Sequence, residues 1–481
     1  MKESGLWYLP NSENKIPGKL FLEDNKSTIT LQLFTTSYLS GNKFEFANTK
    51  REDNNVELIL GDTSNSPLGD ITLFACSFSK LAPIGGDLYQ LHYSVQFVFN
   101  YVHILQRTHL KFNHIEVLYP NSDNFYNGWN SRNYEEENPR NEYVKISNTF
   151  RIDDELSIDI VDSKRHTFSM SKNYEVKHSN HLKFNYNKTV DIDRIYQDCV
   201  TLQKMMEFSS RRKLAFIIKS AKIDFENIKN HHQHTNLILQ KSDDVEKNMG
   251  HTYIYSRLTL NQKPFENRRK LNQNWLLFSG WTESEDSLNN FMKNWFQNQN
   301  LQPIYDFYLD TIDWGKDGAI SNVNFNNRYL NLIQGLEAYY DYLNPEYKYI
   351  NETFIAERQK VYNAIESKEL KQWVGNHLRF PKQANLSYKL KFLCDKYLDI
   401  LISLRANKAL IKSYPYKAKE YRHKLSHGKI NKTFQGEDLN SLYGFSQALL
   451  CICILDSIGM EHTQIADRID SNPDINRQIP R

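Results

Sequence analysis

A change of hydrophobic period along this chain limits what it can fold into. In the first third, apolar and polar residues alternate in short runs: Ile29-Thr30-Leu31-Gln32-Leu33-Phe34, Ile71-Thr72-Leu73-Phe74 and Tyr93-Ser94-Val95-Gln96-Phe97-Val98-Phe99. A period of two places one set of side chains on one face of a pleated strand, so these runs read as half-buried strands. From Tyr329 the period lengthens to that of a helix. Tyr329, Leu332, Leu336, Tyr339 and Leu343 form one stripe, with Glu337 beside it. Further helices are expected over 354–374 (Val361, Ile365, Leu370), over 388–404 (Leu390, Leu393, Tyr397, Leu398, Leu401) and over 439–458. The chain therefore reads as α+β, with a large β-rich N-terminal part followed by an all-α bundle. The boundaries follow from these patterns: a β-rich region over 1–310, a bundle over 320–462, and a polar tail over 463–481. Within the first region, 156–160, 184–186, 253–255 and 275–278 read as further strands and 192–208 as a helix. Residues 288–309 read as a helical connector, and Gly315 and Gly318 mark a hinge before the bundle.

One helical segment carries chemistry. It runs Tyr421-Arg422-His423-Lys424-Leu425-Ser426-His427-Gly428. A guanidinium can neutralise a scissile phosphate and an imidazole can move the ribose 2′-hydroxyl proton, so Arg422 and His427 suffice for metal-free RNA cleavage. On a helix they stand about 140° apart, and two copies packed about a symmetry axis would bring both pairs into one cleft. Gly428 reads as the residue just past a helix C-terminus, where the dipole favours a protonated His427. Lys417, Lys419, Lys424 and Lys429 surround the motif and would attract phosphates. The competing reading is a solvated helix face with ordinary polar residues.

A bundle that opens on Leu336-Glu337-Ala338-Tyr339-Tyr340, carries Arg422-His423-x3-His427-Gly428 and closes on an apolar helix resembles the HEPN superfamily. The resemblance implies a catalytic Arg422 and His427, with His423 where many members carry Asn, and a supporting role for Glu337. It also implies metal-independent ribonucleases that act as dimers. The N-terminal series Gly5-Leu6-Trp7-Tyr8-Leu9-Pro10, Ile16-Pro17-Gly18-Lys19-Leu20 and the alternating runs after it look like the N-terminal domain of the ApeA family. Those are bacterial anti-phage, abortive-infection proteins with a C-terminal HEPN domain. The resemblance implies a toxin-like endoribonuclease acting on RNA, with tRNA one candidate. It further implies a homodimer or higher oligomer, and a phage component as trigger.

Composition narrows the alternatives. Lys and Arg total 60 against 57 Asp and Glu in 481 residues, so any nucleic-acid contact must be a local patch. Five scattered cysteines without C-x2-C pairs suit a reducing compartment. No signal peptide or long apolar run is legible, which points to a cytoplasmic protein without a membrane anchor. His231-His232-Gln233-His234 lacks a partnering carboxylate and reads as an exposed loop, and Gly85-Gly86 reads as a turn. No cofactor or metal is called for. The rival reading is a non-catalytic HEPN module for dimerisation or RNA binding, with the N-terminal β domain binding a ligand or protein. A β-rich carbohydrate-binding protein is disfavoured by the missing secretion signal.

Overall fold

The computed structural model describes residues 2–23, 28–35, 55–63, 69–100, 102–119, 125, 143–168, 174–214, 216–223, 251–256, 275–280, 282–312, 324–345, 352–377, 384–426 and 437–481. The chain forms two compact units. One comprises Met1–Glu207, Lys213–Gln273 and Phe278–Phe296; the other comprises Phe208–Arg212, Asn274–Leu277 and Gln297–Arg481.

The first unit is built on antiparallel strands: β1 (Lys2–Tyr8), β2 (Ile16–Glu23), β3 (Thr28–Thr35), β4 (Asn55–Thr63), β5 (Gly69–Gly85), β6 (Leu88–Asn100), β7 (Lys111–Leu118), β8 (Tyr143–Arg151), β9 (Leu156–Phe168), β10 (Tyr174–Asp191), β11 (Ile217–Ile223) and β12 (His251–Ser256). Their order is β3-β2-β1-β4-β5-β6-β12-β11-β7-β10-β9-β8, and β3 also pairs with β6. That extra pairing closes the first six strands into a barrel and removes two exposed edges. Register follows the alternation. Leu31 faces Tyr93 and Leu33 faces Leu91 across β3 and β6, and all four are buried. Gln32 between them is only partly buried, and its Oε1 accepts from the Gln90 amide at 2.6 Å. Trp7 fills the barrel core with Leu20, Leu22, Ile29, Ile59, Leu73 and Val95. Its cross-strand partner is Gly61, and a Cβ there would stand 2.4 Å from the indole.

Beyond the barrel, β7 to β12 extend the sheet, and α1 (Ile192–Ser210) buries Ile195, Cys199, Leu202 and Met206 at the expected helical spacing. The Tyr119 hydroxyl donates to Cys199 O at 2.8 Å. On α2 (Glu285–Gln297), the Trp295 indole N–H donates to Thr201 O at 3.0 Å. Residues 275–278 form no strand. Leu276, Leu277 and Phe278 are all buried, which a bend can achieve and a one-sided strand cannot.

The second unit is helical: α3 (Gln302–Leu309), α4 (Phe325–Leu343), α5 (Glu352–Ala364), α6 (Lys368–His377), α7 (Leu386–Lys396), α8 (Leu398–Ser403), α9 (Lys408–Ser426), α10 (Glu437–Ser457), α11 (His462–Ser471) and α12 (Pro473–Asn476). The whole chain is thus α+β. Several expected single helices are split. The connector over 288–309 divides into α2 and α3 at the 3-10 turn Gln299–Leu301, with Pro303 in the first turn of α3, where a missing N–H breaks no helical bond. The segment 388–404 divides at Tyr397, whose φ of −108° and ψ of 24° lie outside the helical range. The segment 354–374 divides around Ile365, which breaks its expected stripe, and Val361 and Leu370 are exposed. The expected polar tail instead forms α11 and α12, because Ile465, Ile469, Ile475 and Ile479 supply an apolar face that is buried. The stretch Leu439–Ser457 of α10 is apolar and long enough to cross a membrane, yet 78% of it is buried, as in a core helix. The five cysteines are buried and unpaired.

Asp456 on α10 anchors three helical segments. Its Oδ2 accepts from Lys396 Nζ at 2.7 Å, from the Tyr397 hydroxyl at 2.7 Å and from the Tyr339 hydroxyl at 3.3 Å. His462 opens α11 and reaches Asp399 Oδ2 at 2.8 Å, with its other nitrogen 3.7 Å from Asp456 Oδ1. Burial alone would raise the Asp456 pKa, but the hydrogen bonds from Lys396 and Tyr397 outweigh it and hold the group below its ordinary value.

Two outcomes follow. Gly61→Ala forces a methyl against the indole of Trp7 and should cost about 1–3 kcal/mol in a chemical-denaturation series. A carboxylate with a depressed folded pKa stabilises above its unfolded pKa, about 4, and loses that contribution as pH falls through the folded value. Asp456→Asn should therefore lower the melting temperature at pH 6 and narrow its gap to wild type near pH 3. An equal deficit at both pH values would contradict the ionised network.

Candidate active site

Arg422 lies just before the last turn of α9, and the packing of that helix sets where it points. Ile411, Tyr414, Ala418 and Tyr421 are buried at spacings of three and four, so one stripe of α9 faces the core. The Tyr421 ring meets Tyr329 of α4 edge-on at 5.1 Å. The Tyr414 hydroxyl pairs with Ser446 Oγ of α10 at 2.8 Å. Arg422 follows Tyr421 by about 100°, at the border of that stripe, and its side chain is 40% exposed. Its Nη2 stands 3.4 Å from Glu337 Oε2 on α4.

Glu337 is shared. Its other oxygen lies 3.5 Å from Lys389 Nζ of α7, and that ammonium reaches Asp341 Oδ2 at 2.7 Å. Lys389 is only 8% exposed, and its Nζ lies 5.7 Å from the centre of the Tyr340 ring. A buried ammonium needs countercharge. Glu337 and Asp341, one turn apart on α4, supply it from a common face. One oxygen of Glu337 remains for Arg422.

The remaining sequence candidates divide clearly. His423, the next residue, is exposed on the final turn of α9. Lys417 and Lys419 are exposed, and Lys424 pairs with Glu420 at 2.6 Å. Lys419, Arg422 and His423 fall within one helical face by their spacing. His427, Gly428, Lys429 and the His231–His234 cluster lie outside the described residues. A polar pocket of about 600 Å³ lies against α11 and α12, lined by Trp275, Asp470, Asn476, Arg477 and Arg481, and holds none of the motif residues. Lys389 and Asp341 were not legible as site residues. The available signal was a lysine placed between Leu386, Leu390 and Leu393 on an otherwise apolar stripe.

Comparison with known families decides what this arrangement belongs to. The model for ApeA N-terminal domain 1 matches residues 2–295, and the model for Apea-like HEPN matches residues 330–464. The chain belongs to the ApeA family. It is an ApeA-like protein of nuclease type, associated with anti-phage defence, and its HEPN domain is of a kind that is generally ribonucleolytic. No curated protein and no solved structure gives a significant match. Within the HEPN match lie Glu337, Asp341, Lys389 and Arg422, so the charge chain joins three helices of that domain.

Lys389→Met, which keeps length and removes the ammonium, should leave Glu337 and Asp341 facing each other without their shared cation. Because Asp341 is more than half exposed, screening reduces the penalty. A loss on the order of 1–3 kcal/mol is expected in urea unfolding. Lys389→Met with Asp341→Asn should recover part of it, and a double-mutant cycle without coupling would separate the two side chains.

Proposed function

We propose that this ApeA protein is a metal-independent endoribonuclease whose HEPN domain cleaves RNA during phage infection. The observation that carries the reading is the half-exposed Arg422 guanidinium, held at the border of the α9 core stripe by one oxygen of Glu337. In this mechanism His427 removes the proton from the ribose 2′-hydroxyl. Arg422 stabilises the charge that builds on the pentavalent phosphorus. His423 orients the strand or donates to a phosphate oxygen. The 2′-oxygen forms a bond to phosphorus as the bond to the 5′-oxygen breaks, leaving a 2′,3′-cyclic phosphate and a 5′-hydroxyl.

Lys417, Lys419, Lys424 and Lys429 contribute electrostatic attraction for the RNA backbone. Two HEPN domains brought together in a homodimer would double the motif within one groove, and tRNA is one candidate substrate. The N-terminal β unit serves as the sensing part, with a phage component as trigger. Cleavage in the bacterial cytoplasm would halt translation, which gives the protein its toxin-like character.

The test is RNA 3′-end mapping in phage-challenged bacteria that express wild type, Arg422→Ala or His427→Ala. New discrete ends bearing cyclic phosphates should appear with wild type and fall on the order of 100-fold in either variant. Identical end profiles, with phage protection retained by both variants, would instead make the HEPN domain a non-catalytic binding module.

A further inference from the structure

The outer side of α9 carries a pattern that core packing does not call for. Lys408, Lys412, Tyr416, Lys419 and His423 are all exposed. At about 100° per residue they fall within an arc of about 80°, while Ile411, Tyr414, Ala418 and Tyr421 face the core. The row is about 22 Å long at 1.5 Å per residue, and it ends at His423, the neighbour of Arg422.

The row holds no acid. Among the described residues, Lys408, Lys412 and Lys419 have no ion-pair partner, and the adjoining Glu420 is neutralised by Lys424. α9 begins on Lys408 with no acidic residue in its first turn, although the dipole favours anions at that end. The positive field of the helix start and the lysine charges therefore add. Tyr416 stands in the middle of the row and is 68% exposed. A ring left so far in water contributes little to the core, and here a lysine lies one turn away on either side. An aromatic face between cations is the arrangement that holds unpaired nucleic acid: a base stacks on the ring while ammonium groups follow the backbone. Bases within a duplex are already stacked and offer the ring nothing.

We propose that this face of α9 is a track for single-stranded RNA. Tyr416 stacks on one unpaired base, and Lys412 and Lys419 contact the phosphates on either side of it. The inference rests on the reading of the protein as an RNA-cleaving enzyme, and it adds a preference to that reading. Stacking tolerates every base, so the track selects unpaired strands without selecting sequence and leads them along α9 toward Arg422.

The test is fluorescence anisotropy of the full-length protein with a short, unstructured 2′-O-methyl oligonucleotide, and with the same strand in a duplex. Lacking a free 2′-hydroxyl, the strand cannot be cut, so binding is read apart from cleavage. Tyr416→Ala should weaken single-strand binding on the order of tenfold and leave duplex binding unchanged, and Tyr416→Trp should retain wild-type affinity. Lys412→Ala and Lys419→Ala should each flatten the slope of log affinity against log salt by about 0.7. Circular dichroism confirms that each variant folds. A protein that binds neither probe would overturn the inference, as would a Tyr416→Ala variant that binds the strand normally or loses strand and duplex equally. Normal RNA binding by Tyr416→Ala, together with dissociation of the protein in sedimentation, would assign the face to a contact between copies of the chain instead. Tyr416-dependent binding by a protein that cuts no RNA would uphold the track and remove only the cleavage mechanism.

Discussion

The buried ammonium of Lys389 governs the geometry of the helical unit around the motif. A charge that deep must be met by carboxylates, and α4 presents Glu337 and Asp341 on one face to meet it. Because Asp341 makes the shorter contact, Glu337 keeps an oxygen within reach of Arg422. The position of the arginine is therefore a consequence of how a lysine on a different helix is neutralised. α4 acts as the common member: Tyr329 faces α9, Glu337 spans α7 and α9, and Tyr339 turns to Asp456 on α10.

The β unit depends on a different constraint. β6 is long enough to pair with β3, β5 and β12, so a single strand both closes the barrel and starts the extended part of the sheet. Closure brings inward-facing apolar sets together from both sides, as the Leu31–Tyr93 and Leu33–Leu91 pairs show. The cost is crowding at the centre, where Trp7 can lie flat only because its neighbours at Gly18 and Gly61 lack side chains. The barrel end, by contrast, gathers charge. The hairpin register that sets Asp62 against Asp70 follows from the same strand pairing that buries Leu73 and Ile59.

Periodicity made the fold class legible, since a period of two and a helical period are direct projections of backbone geometry. The alternating runs fall inside the barrel strands, and the helical stripe over 192–208 falls inside α1. Breaks were harder to see. Tyr397 leaves the helical region in the middle of an unbroken apolar stripe, and nothing in its side chain forbids helix. Residues 275–278 are apolar without alternation, a pattern that leaves strand and buried loop undivided. In the site, Arg422 was legible from its motif and Glu337 from the family resemblance, while their pairing was not. Lys389 and Asp341 were not, because the partner of a buried charge is chosen by three-dimensional packing and carries no sequence spacing.

The strength with which Arg422 is held bears on its use. A bidentate arginine–carboxylate pair satisfies two donors in a fixed fork and is correspondingly hard to displace. Here one guanidinium nitrogen meets one carboxylate oxygen at 3.4 Å, beyond the usual 2.7–2.9 Å of a charge-assisted hydrogen bond. That distance supplies orientation and a favourable field but little binding. A phosphate entering the same space offers a stronger, shorter contact, so the guanidinium can exchange partners without the helix moving. Lys389, by taking the closer carboxylate for itself, prevents Glu337 and Asp341 from jointly sequestering the arginine. The buried lysine thus neutralises the acidic face of α4 while leaving the Arg422 guanidinium partly exposed.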